Sequence, residues 1–381
     1  MRLCRPRALL AAFALFATTL GAQLPARLPI IAGANGMNFL VMPDGSVMAW
    51  GSPGGEAAGS GDGTERAYKT PTTIAGLTDI TDVAAGPRHV LMLKRDGTVI
   101  GWGRNDECEL TVTDDRKRLS PIVMEGVRDA VQIAAGLKLS FAVLRDGTVR
   151  VWGSHEMALF GNGPEPREAD CQPKPTAVQG LSGVRKVVVG NNQAYALKTD
   201  GTVWAWGKNA NGELCDGTTL TRNTPVQVKG LTTVVDVAAS DEPTFVLSDG
   251  TVWVCGSNIK GHLGPGVPPA TKATTPRKMP GISTAVSAMS AGGTMVRLKD
   301  GSMLGWGSGI FGALGDGHID KTSPTPHAPI GLGPVLASWY ASNSGYALKA
   351  DGTIMAWAVY VGGDAEWALK PFPFFKIALT P

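Results

Sequence analysis

Residues 195–207 read YALKTDGTVWAWG, and this short stretch decides the fold. An Asp-Gly pair flanked by alternating apolar residues is typical of a two-residue β-hairpin turn, because glycine adopts a positive φ at little cost. The residues on either side of Asp200 and Gly201 are therefore predicted to form two antiparallel strands. The second strand ends near Trp206, six residues after the aspartate.

The same pattern recurs seven times in the 381-residue chain, at a mean interval near 51 residues. Each Asp-Gly pair is followed by Ser or Thr, and the position six residues after the aspartate, the tryptophan slot, holds tryptophan in six copies and Cys255 in the fifth. A period of this length indicates a solenoid or a propeller, and four predicted short strands per repeat favour a propeller blade. The aspartates are Asp44, Asp96, Asp146, Asp200, Asp249, Asp300 and Asp351.

We therefore predict an all-β fold, a seven-bladed β-propeller of four-stranded blades. Residues 28–43 hold the strands that precede the first hairpin, and the tail from Pro371 to Leu379 holds strands that complement them. The ring is expected to be closed by pairing of N- and C-terminal strands, so that the two ends of the chain build one blade together and leave no exposed strand edge.

The first residues have the pattern of a secretory signal peptide. Arg2, Arg5 and Arg7 precede an apolar run over residues 8–20, which is followed by Leu20-Gly21-Ala22, a small-residue cleavage site. We predict that residues 1–22 are a signal peptide and that residues 23–381 form a single propeller domain of seven repeats. The protein is predicted to be exported, periplasmic or secreted, with no membrane span in the mature chain.

Charge argues against nucleic acid as the partner. Removing residues 1–22 takes away three of the 35 Lys and Arg residues and none of the 32 Asp and Glu residues, so the mature chain has 32 of each. A protein that neutralises many phosphates usually carries a basic excess. We expect a monomer that binds a protein partner, whose identity the sequence does not name.

Four cysteines remain in the mature chain, and the sequence alone does not choose among their three full pairings. Cys255 takes a tryptophan slot that is predicted to be buried, so a free packed thiol is expected there. Cys108, Cys171 and Cys215 fall in loops of successive blades, where one disulfide among the three and none at all are equally open.

Catalytic patterns occur only in fragments. Ser257 and Lys260 fit the Ser-x-x-Lys pattern, but they lie in a loop that every repeat has. His155-Glu156 begins like a zinc-protease helix, yet Leu159 stands where the second histidine is required. We predict a protein that is not an enzyme and that has no catalytic residues, no cofactor and no metal site.

The stretch Asp200–Thr218, DGTVWAWGKNANGELCDGT, resembles the repeat of the regulator of chromosome condensation family, and Asp249–Gly266 and Asp300–Thr322 follow the same pattern. The resemblance implies a seven-bladed propeller over residues 28–381 and an exported, bacterial-type member of the family. Its nuclear relatives include guanine-nucleotide exchange factors for a small GTPase, and a bacterial secreted relative of this fold inhibits a β-lactamase. An inhibitor or regulator of a secreted enzyme and an exchange factor are therefore the alternatives to a general interaction protein.

Function is expected where the repeats differ, in a short loop that precedes each hairpin. These loops are predicted to gather at one end of the ring near its axis and to bind the partner. Tyr340, in the strand before the last of these loops, either plugs the narrow centre or presents an aromatic surface. The candidate binding residues are Arg88, His89, Lys138, Asn192, Glu242, Asn343 and Tyr340.

Overall fold

Each Asp-Gly pair forms the hairpin turn that its sequence predicts, and the hairpins assemble into seven four-stranded antiparallel sheets arranged as the blades of a ring. The structure is a computed structural model that describes residues 27–54, 58–155, 158–163, 171–360 and 367–379. The predicted all-β, seven-bladed propeller is confirmed. The predicted signal peptide, residues 1–22, lies outside the described residues.

Each blade takes four strands in chain order, from an inner first strand to an outer fourth strand. Blades 1 to 3 contain β1 Ile30–Ala34, β2 Met37–Val41, β3 Val47–Gly51, β4 Tyr68–Thr73; β5 Ile80–Ala85, β6 His89–Lys94, β7 Val99–Gly103, β8 Arg118–Val123; and β9 Ala130–Ala135, β10 Leu139–Leu144, β11 Val149–Ser154, β12 Cys171–Ala177. Blades 4 and 5 contain β13 Val184–Val189, β14 Gln193–Lys198, β15 Val203–Gly207, β16 Arg222–Gln227; and β17 Val234–Ala239, β18 Pro243–Leu247, β19 Val252–Ser257, β20 Lys272–Lys278.

Blades 6 and 7 complete the ring. They contain β21 Ala285–Ala291, β22 Gly293–Leu298, β23 Met303–Gly307, β24 Ser323–His327; and β25 Ala337–Ala341, β26 Ser344–Leu348, β27 Thr353–Trp357, β30 Phe372–Lys376. A two-stranded ribbon, β28 Val359–Tyr360 with β29 Trp367–Ala368, lies between the last two strands of blade 7 in the sequence, and a short 3₁₀ helix spans Ile310–Gly312 in blade 6.

In six of the seven blades the repeated tryptophan contacts the blade before it. The indole Nε1 of Trp206 in blade 4 donates to the main-chain carbonyl of Leu159 in blade 3 at 2.7 Å, and Trp152 donates to the carbonyl of Glu109 in the same way, also at 2.7 Å. Both indoles are fully buried. A buried N–H and a buried C=O each need a hydrogen-bond partner, and this one bond supplies a partner to the indole of one blade and to the carbonyl of the other. The same bond is made by Trp102, Trp306 and Trp357.

We expect Trp206→Phe to lower the free energy of unfolding by about 1–2 kcal/mol, because it leaves the buried Leu159 carbonyl without its donor while keeping an aromatic ring. Trp204 lies in the same strand but is only partly buried, so Trp204→Phe is the matched control and should change stability by less than half as much. Urea unfolding of both variants measures the difference. Equal losses would show that the indole bond contributes nothing.

The expectation that the two chain ends build one blade together is wrong. Blade 1 takes all four strands from residues 30–73, and blade 7 takes all four from residues 337–376. The reason is that β4, the outer strand of blade 1, follows its own hairpin, so the N-terminal segment lacks no strand. The ring closes instead by packing of Trp50 against Phe374 and Phe375, and by the hydrogen bond from Ser342 N to Gly33 O at 2.9 Å.

The outer strand of each blade has an edge that is open to solvent. Proline in these strands limits their pairing with another chain. A proline offers no main-chain donor, so an edge strand that contains one is a poor template for pairing with another chain. Every fourth strand contains at least one proline: Pro71, Pro121, Pro173 with Pro175, Pro225, Pro276, Pro324 with Pro326, and Pro373.

Two disulfides link neighbouring blades. Cys108, after β7 of blade 2, bonds Cys171 at the start of β12 in blade 3, with Cα atoms 5.8 Å apart, which confirms one bridge among the three loop cysteines. Cys215 of blade 4 bonds Cys255 of blade 5, with Cα atoms 5.9 Å apart. The prediction of a free thiol at Cys255 is therefore wrong, because the tryptophan slot faces the preceding blade, where Cys215 lies.

Candidate interaction surface at the loop end of the ring

The two ends of the ring differ in their connections. The loops between first and second strands and those between third and fourth strands meet at one end, as shown by the hydrogen bonds from Arg104 N to Arg88 O and from Lys208 N to Asn192 O, both 2.9 Å. We call this the loop end. The Asp-Gly turns lie at the opposite end, the turn end, where Ala130 N donates to Gly97 O.

A concave mouth opens at the axis of the loop end, with a cavity volume of about 510 Å³. Its lining comes from blades 2 to 7 and includes Leu137, Asn191, Asn192, Asp241, Phe311 and Asn343. A second cavity of about 270 Å³ lies beside it and is lined in part by Asn35, Tyr340 and Asn343. We call the larger cavity the axial mouth.

Asn192, Asn343 and Tyr340 of the sequence-predicted set line these cavities. Tyr340 is half-buried, its hydroxyl donates to the carbonyl of Ala313, and its ring packs edge-on against Trp357 with centroids 6.4 Å apart. Burial raises the pKa of the Tyr340 phenol well above its usual value. The residue thus helps fill the space between blades 6 and 7 and also reaches the smaller cavity.

Arg88 and Lys138 are engaged in ion pairs within the ring. Arg88 pairs with Asp106 and its Nε lies 3.5 Å from Glu109 Oε1, while Lys138 Nζ lies 2.8 Å from Glu107 Oε1. Burial raises the pKa of the fully buried Glu109 to about 7, although the Arg88 charge opposes this shift. Lys138 thus joins the loops of blades 2 and 3, whereas Arg88 joins two loops of blade 2.

His89 lies beneath the loop end rather than on it. Its ring is fully buried, and Nε2 is 2.8 Å from Ser140 Oγ of the next blade. Burial lowers the pKa of His89 to about 3. His262 occupies a similar place, 3.1 Å from Thr294 Oγ1 of the next blade, so these histidines bridge blade interfaces.

Glu242 is half-buried in the loop between β17 and β18, next to Asp241. Asp241 is 2.5 Å from Lys260 Nζ and accepts a hydrogen bond from Asn191 Nδ2, also at 2.5 Å. Burial, together with the nearby charges of Asp241 and Glu213, raises the pKa of Glu242 to about 7. Among the residues that the structure describes, no ion pair joins a cation to Glu242 or Glu213.

The raised pKa makes the contribution of Glu242 to stability dependent on pH. Because its pKa is about 7 in the folded chain and near 4.5 when unfolded, the folded state holds the proton more tightly, and stability falls as pH rises from 4.5 to 7. Glu242→Gln is therefore expected to gain about 1–2 kcal/mol relative to the parent at pH 8 and to lose that gain at pH 5.

Urea unfolding at the two pH values measures this difference. Asp129→Asn, which removes an exposed carboxylate at the turn end, is the control and should show no such pH-dependent gain. A gain from Glu242→Gln that is the same at pH 5 and pH 8 would contradict the assignment.

Sequence reasoning missed three apolar residues at this end. Leu137, Ile310 and Phe311 line the axial mouth with 48%, 37% and 38% of their surface exposed. Phe311 has a φ of 55°, which is uncommon for a bulky residue and marks a site where surrounding structure holds the backbone. A signal was present: five residues after the tryptophan slot, blade 6 has phenylalanine where blades 4 and 5 have Asn211 and Lys260.

The described ranges lack both a metal-binding cluster and a membrane-spanning helix. Within them, no group of three or more His, Cys, Asp or Glu residues is arranged to hold a metal ion. The same part of the chain contains no helix with the length and apolar character needed to cross a bilayer.

Family models match two parts of the chain. A model of the regulator of chromosome condensation (RCC1) repeat matches residues 96–143 and 200–247, and a second model of that repeat matches residues 80–107 and 184–213. Among curated proteins, the chain is 41% identical over 68 residues to the E3 ubiquitin-protein ligase HERC2 of Homo sapiens. That match covers 17% of this chain and 1% of HERC2, so the chain spans a very small part of this relative's length.

Solved structures share the architecture over most of the chain. Human WBSCR16 is 20% identical with a TM-score of 0.76, and the match covers 87% of this chain and 94% of that one. Prp20p from Saccharomyces cerevisiae, whose structure is described together with its binding to Gsp1p and histones, is 19% identical with a TM-score of 0.72, covering 93% and 88%. At these identities the likeness concerns the fold.

Proposed function

We propose that this seven-bladed propeller, two parts of which match models of the regulator of chromosome condensation (RCC1) repeat, is an exported, non-catalytic protein that binds a protein partner through its loop end. The partner contacts Asn192 and Asn343, which line the axial mouth, and Glu242, which follows the mouth residue Asp241 in the loop between β17 and β18.

The axial mouth is the observation that carries this proposal. It is a concave surface of about 510 Å³ on a rigid ring, and its lining combines exposed apolar side chains with amide side chains. Protein interfaces combine an apolar, aromatic-containing centre with a polar rim, and binding residues favour loops on a rigid scaffold. The turn end repeats the same Asp-Gly-Ser/Thr turn in every blade, whereas the loop end differs from blade to blade.

Export is supported by the N-terminal pattern and by the two disulfides, since disulfides persist in oxidising compartments. The test is the N-terminal sequence and location of the natural protein. We expect a mature chain that begins at Gln23, recovered outside the cytoplasm with its cysteines oxidised. A cytoplasmic protein that keeps Met1 and has all five cysteines as free thiols would overturn this part of the proposal.

Binding at the loop end is tested by site-specific photocrosslinking. A photoreactive phenylalanine analogue replaces Phe311 in one variant and Val235 in another; both side chains are 38% exposed, but Val235 lies at the turn end, next to Val234, whose N–H donates to Gly201 O. In extracytoplasmic extract, we expect a discrete protein adduct from position 311 and none from position 235. Adducts of equal yield from both positions, or from position 235 alone, would refute the proposal.

A further inference from the structure

We propose that the loop end receives a protein segment in which a large apolar side chain stands beside a lysine or arginine, with the apolar side chain in the axial mouth and the cation at Glu242. This inference rests on the proposed function and names the chemistry of the segment that the surface fits.

The residues that would contact the segment's apolar side chain lie on two sides of the ring. Leu137 belongs to blade 3, and Ile310 and Phe311 belong to blade 6, so their side chains border the axial mouth from opposite directions. The charged groups that line the mouth, Asp241 and Lys260, form an ion pair with each other. A cavity of about 510 Å³ with this lining has the size and character of a site that buries an apolar side chain.

The binding of the segment's cation is inferred from a comparison of two blade interfaces that are built by the same repeat. Between blades 2 and 3, Lys138 pairs with Glu107, and Arg88 lies beside Glu109. Counted from the hairpin, the equivalent positions between blades 4 and 5 hold Asp241, followed by Glu242, for Lys138, Asn211 for Glu107, Asn192 for Arg88 and Glu213 for Glu109. Two cations of the first interface are thus replaced by a carboxyl and an amide in the second.

This exchange leaves negative charge on the blade 5 side of the mouth. Asn211 donates from its side chain to Glu213 at 2.8 Å but brings no positive charge. Lys260 pairs with Asp241 and its charge also acts on Glu242, but one lysine faces three carboxyl groups here, and over the described ranges neither Glu213 nor Glu242 forms an ion pair. A cation delivered by a partner would neutralise Glu242 in a half-buried site, where a charge pair is stronger than in open water.

The same geometry makes recognition sensitive to pH. The pKa of Glu242 is about 7 without a partner, so a fraction of the carboxyl groups is protonated near neutral pH. A cation binds the deprotonated form, and binding therefore releases a proton. The affinity for a basic segment should rise between pH 6 and pH 8, whereas a purely apolar segment should show no such rise.

The experiment selects peptide ligands from a random library, so that no natural partner has to be known in advance. Cyclic peptides from a random phage-displayed library are selected on the folded protein, and the enriched peptides are synthesised and their Kd values measured at pH 6 and pH 8. The variants are Glu242→Gln, Leu137→Ser and the control Asp129→Asn, which removes an exposed carboxylate at the turn end. Thermal unfolding verifies that each variant is folded before its Kd is measured.

We expect enriched peptides with an aromatic or large aliphatic residue next to lysine or arginine. Glu242→Gln should weaken them about tenfold at pH 8, equivalent to about 1.4 kcal/mol, and much less at pH 6. Leu137→Ser should also weaken them, and Asp129→Asn should leave them unchanged.

Two results separate failure of this inference from failure of the proposed function. The inference would be overturned by peptides that lose affinity with Leu137→Ser but lack a basic residue, or by peptides that bind Glu242→Gln as tightly as the parent. Either result would leave the loop end as the binding surface. Peptides that are unaffected by both Leu137→Ser and Glu242→Gln would count against the loop end itself and so against both proposals.

Discussion

Removal of residues 371–381 is expected to lower the free energy of unfolding by on the order of 5 kcal/mol. The deletion takes away β30, the outer strand of blade 7, and with it Phe374 and Phe375, whose rings lie 5.9 Å and 5.7 Å from that of Trp50 in blade 1. It also removes the buried Ile377. The loss uncovers part of Trp50 in blade 1 and the edge of β27 together, at the junction between the last blade and the first.

Urea unfolding of the deleted chain measures this loss, and deletion of residues 380–381 alone is the control, because it leaves β30 and Ile377 in place. The control should unfold at the same urea concentration as the parent. If the longer deletion also matched the parent, the aromatic junction between blades 7 and 1 would not be what closes the ring.

Loss of the Cys215–Cys255 disulfide is the second large effect. The bridge closes a chain segment with a sequence separation of 40 residues, and removing such a disulfide costs about 2–5 kcal/mol, largely by releasing the unfolded chain. Both cysteines are also fully buried in the core between blades 4 and 5. In the double variant Cys215→Ala/Cys255→Ala, neither a tryptophan indole nor a disulfide joins these two blades at the slot.

The double variant Cys108→Ala/Cys171→Ala provides the matched comparison. Its sequence separation of 63 residues predicts an entropic loss at least as large, but Cys171 is only half-buried, so less packing is lost with it. We therefore expect the Cys215–Cys255 pair to cost more in urea unfolding of the oxidised proteins. A smaller cost for that pair would show that chain entropy outweighs packing at the slot.

The local parts of the fold were predictable because they depend on short-range physics. An Asp-Gly turn between alternating residues specifies a hairpin wherever it occurs, and seven copies at a regular interval specify seven blades. The tryptophan slot was predicted to be buried for the same reason. The loop positions that hold Asn192, Glu242 and Asn343 were also predictable, since each is placed by its own hairpin.

Only the tertiary structure decided which residues meet across blades. Cys255 pairs with Cys215, Arg88 turns to Asp106, and Trp50 meets Tyr346 at a sequence separation of 296 residues. The loop between the first two strands carries a paired lysine in blade 3 but two adjacent carboxyl groups, Asp241 and Glu242, in blade 5. Sequence by itself determined the blade, because turn chemistry and strand alternation act within one hairpin. The ring determined closure, disulfide pairing and the charge of the mouth, because these depend on distances between blades that no local pattern encodes.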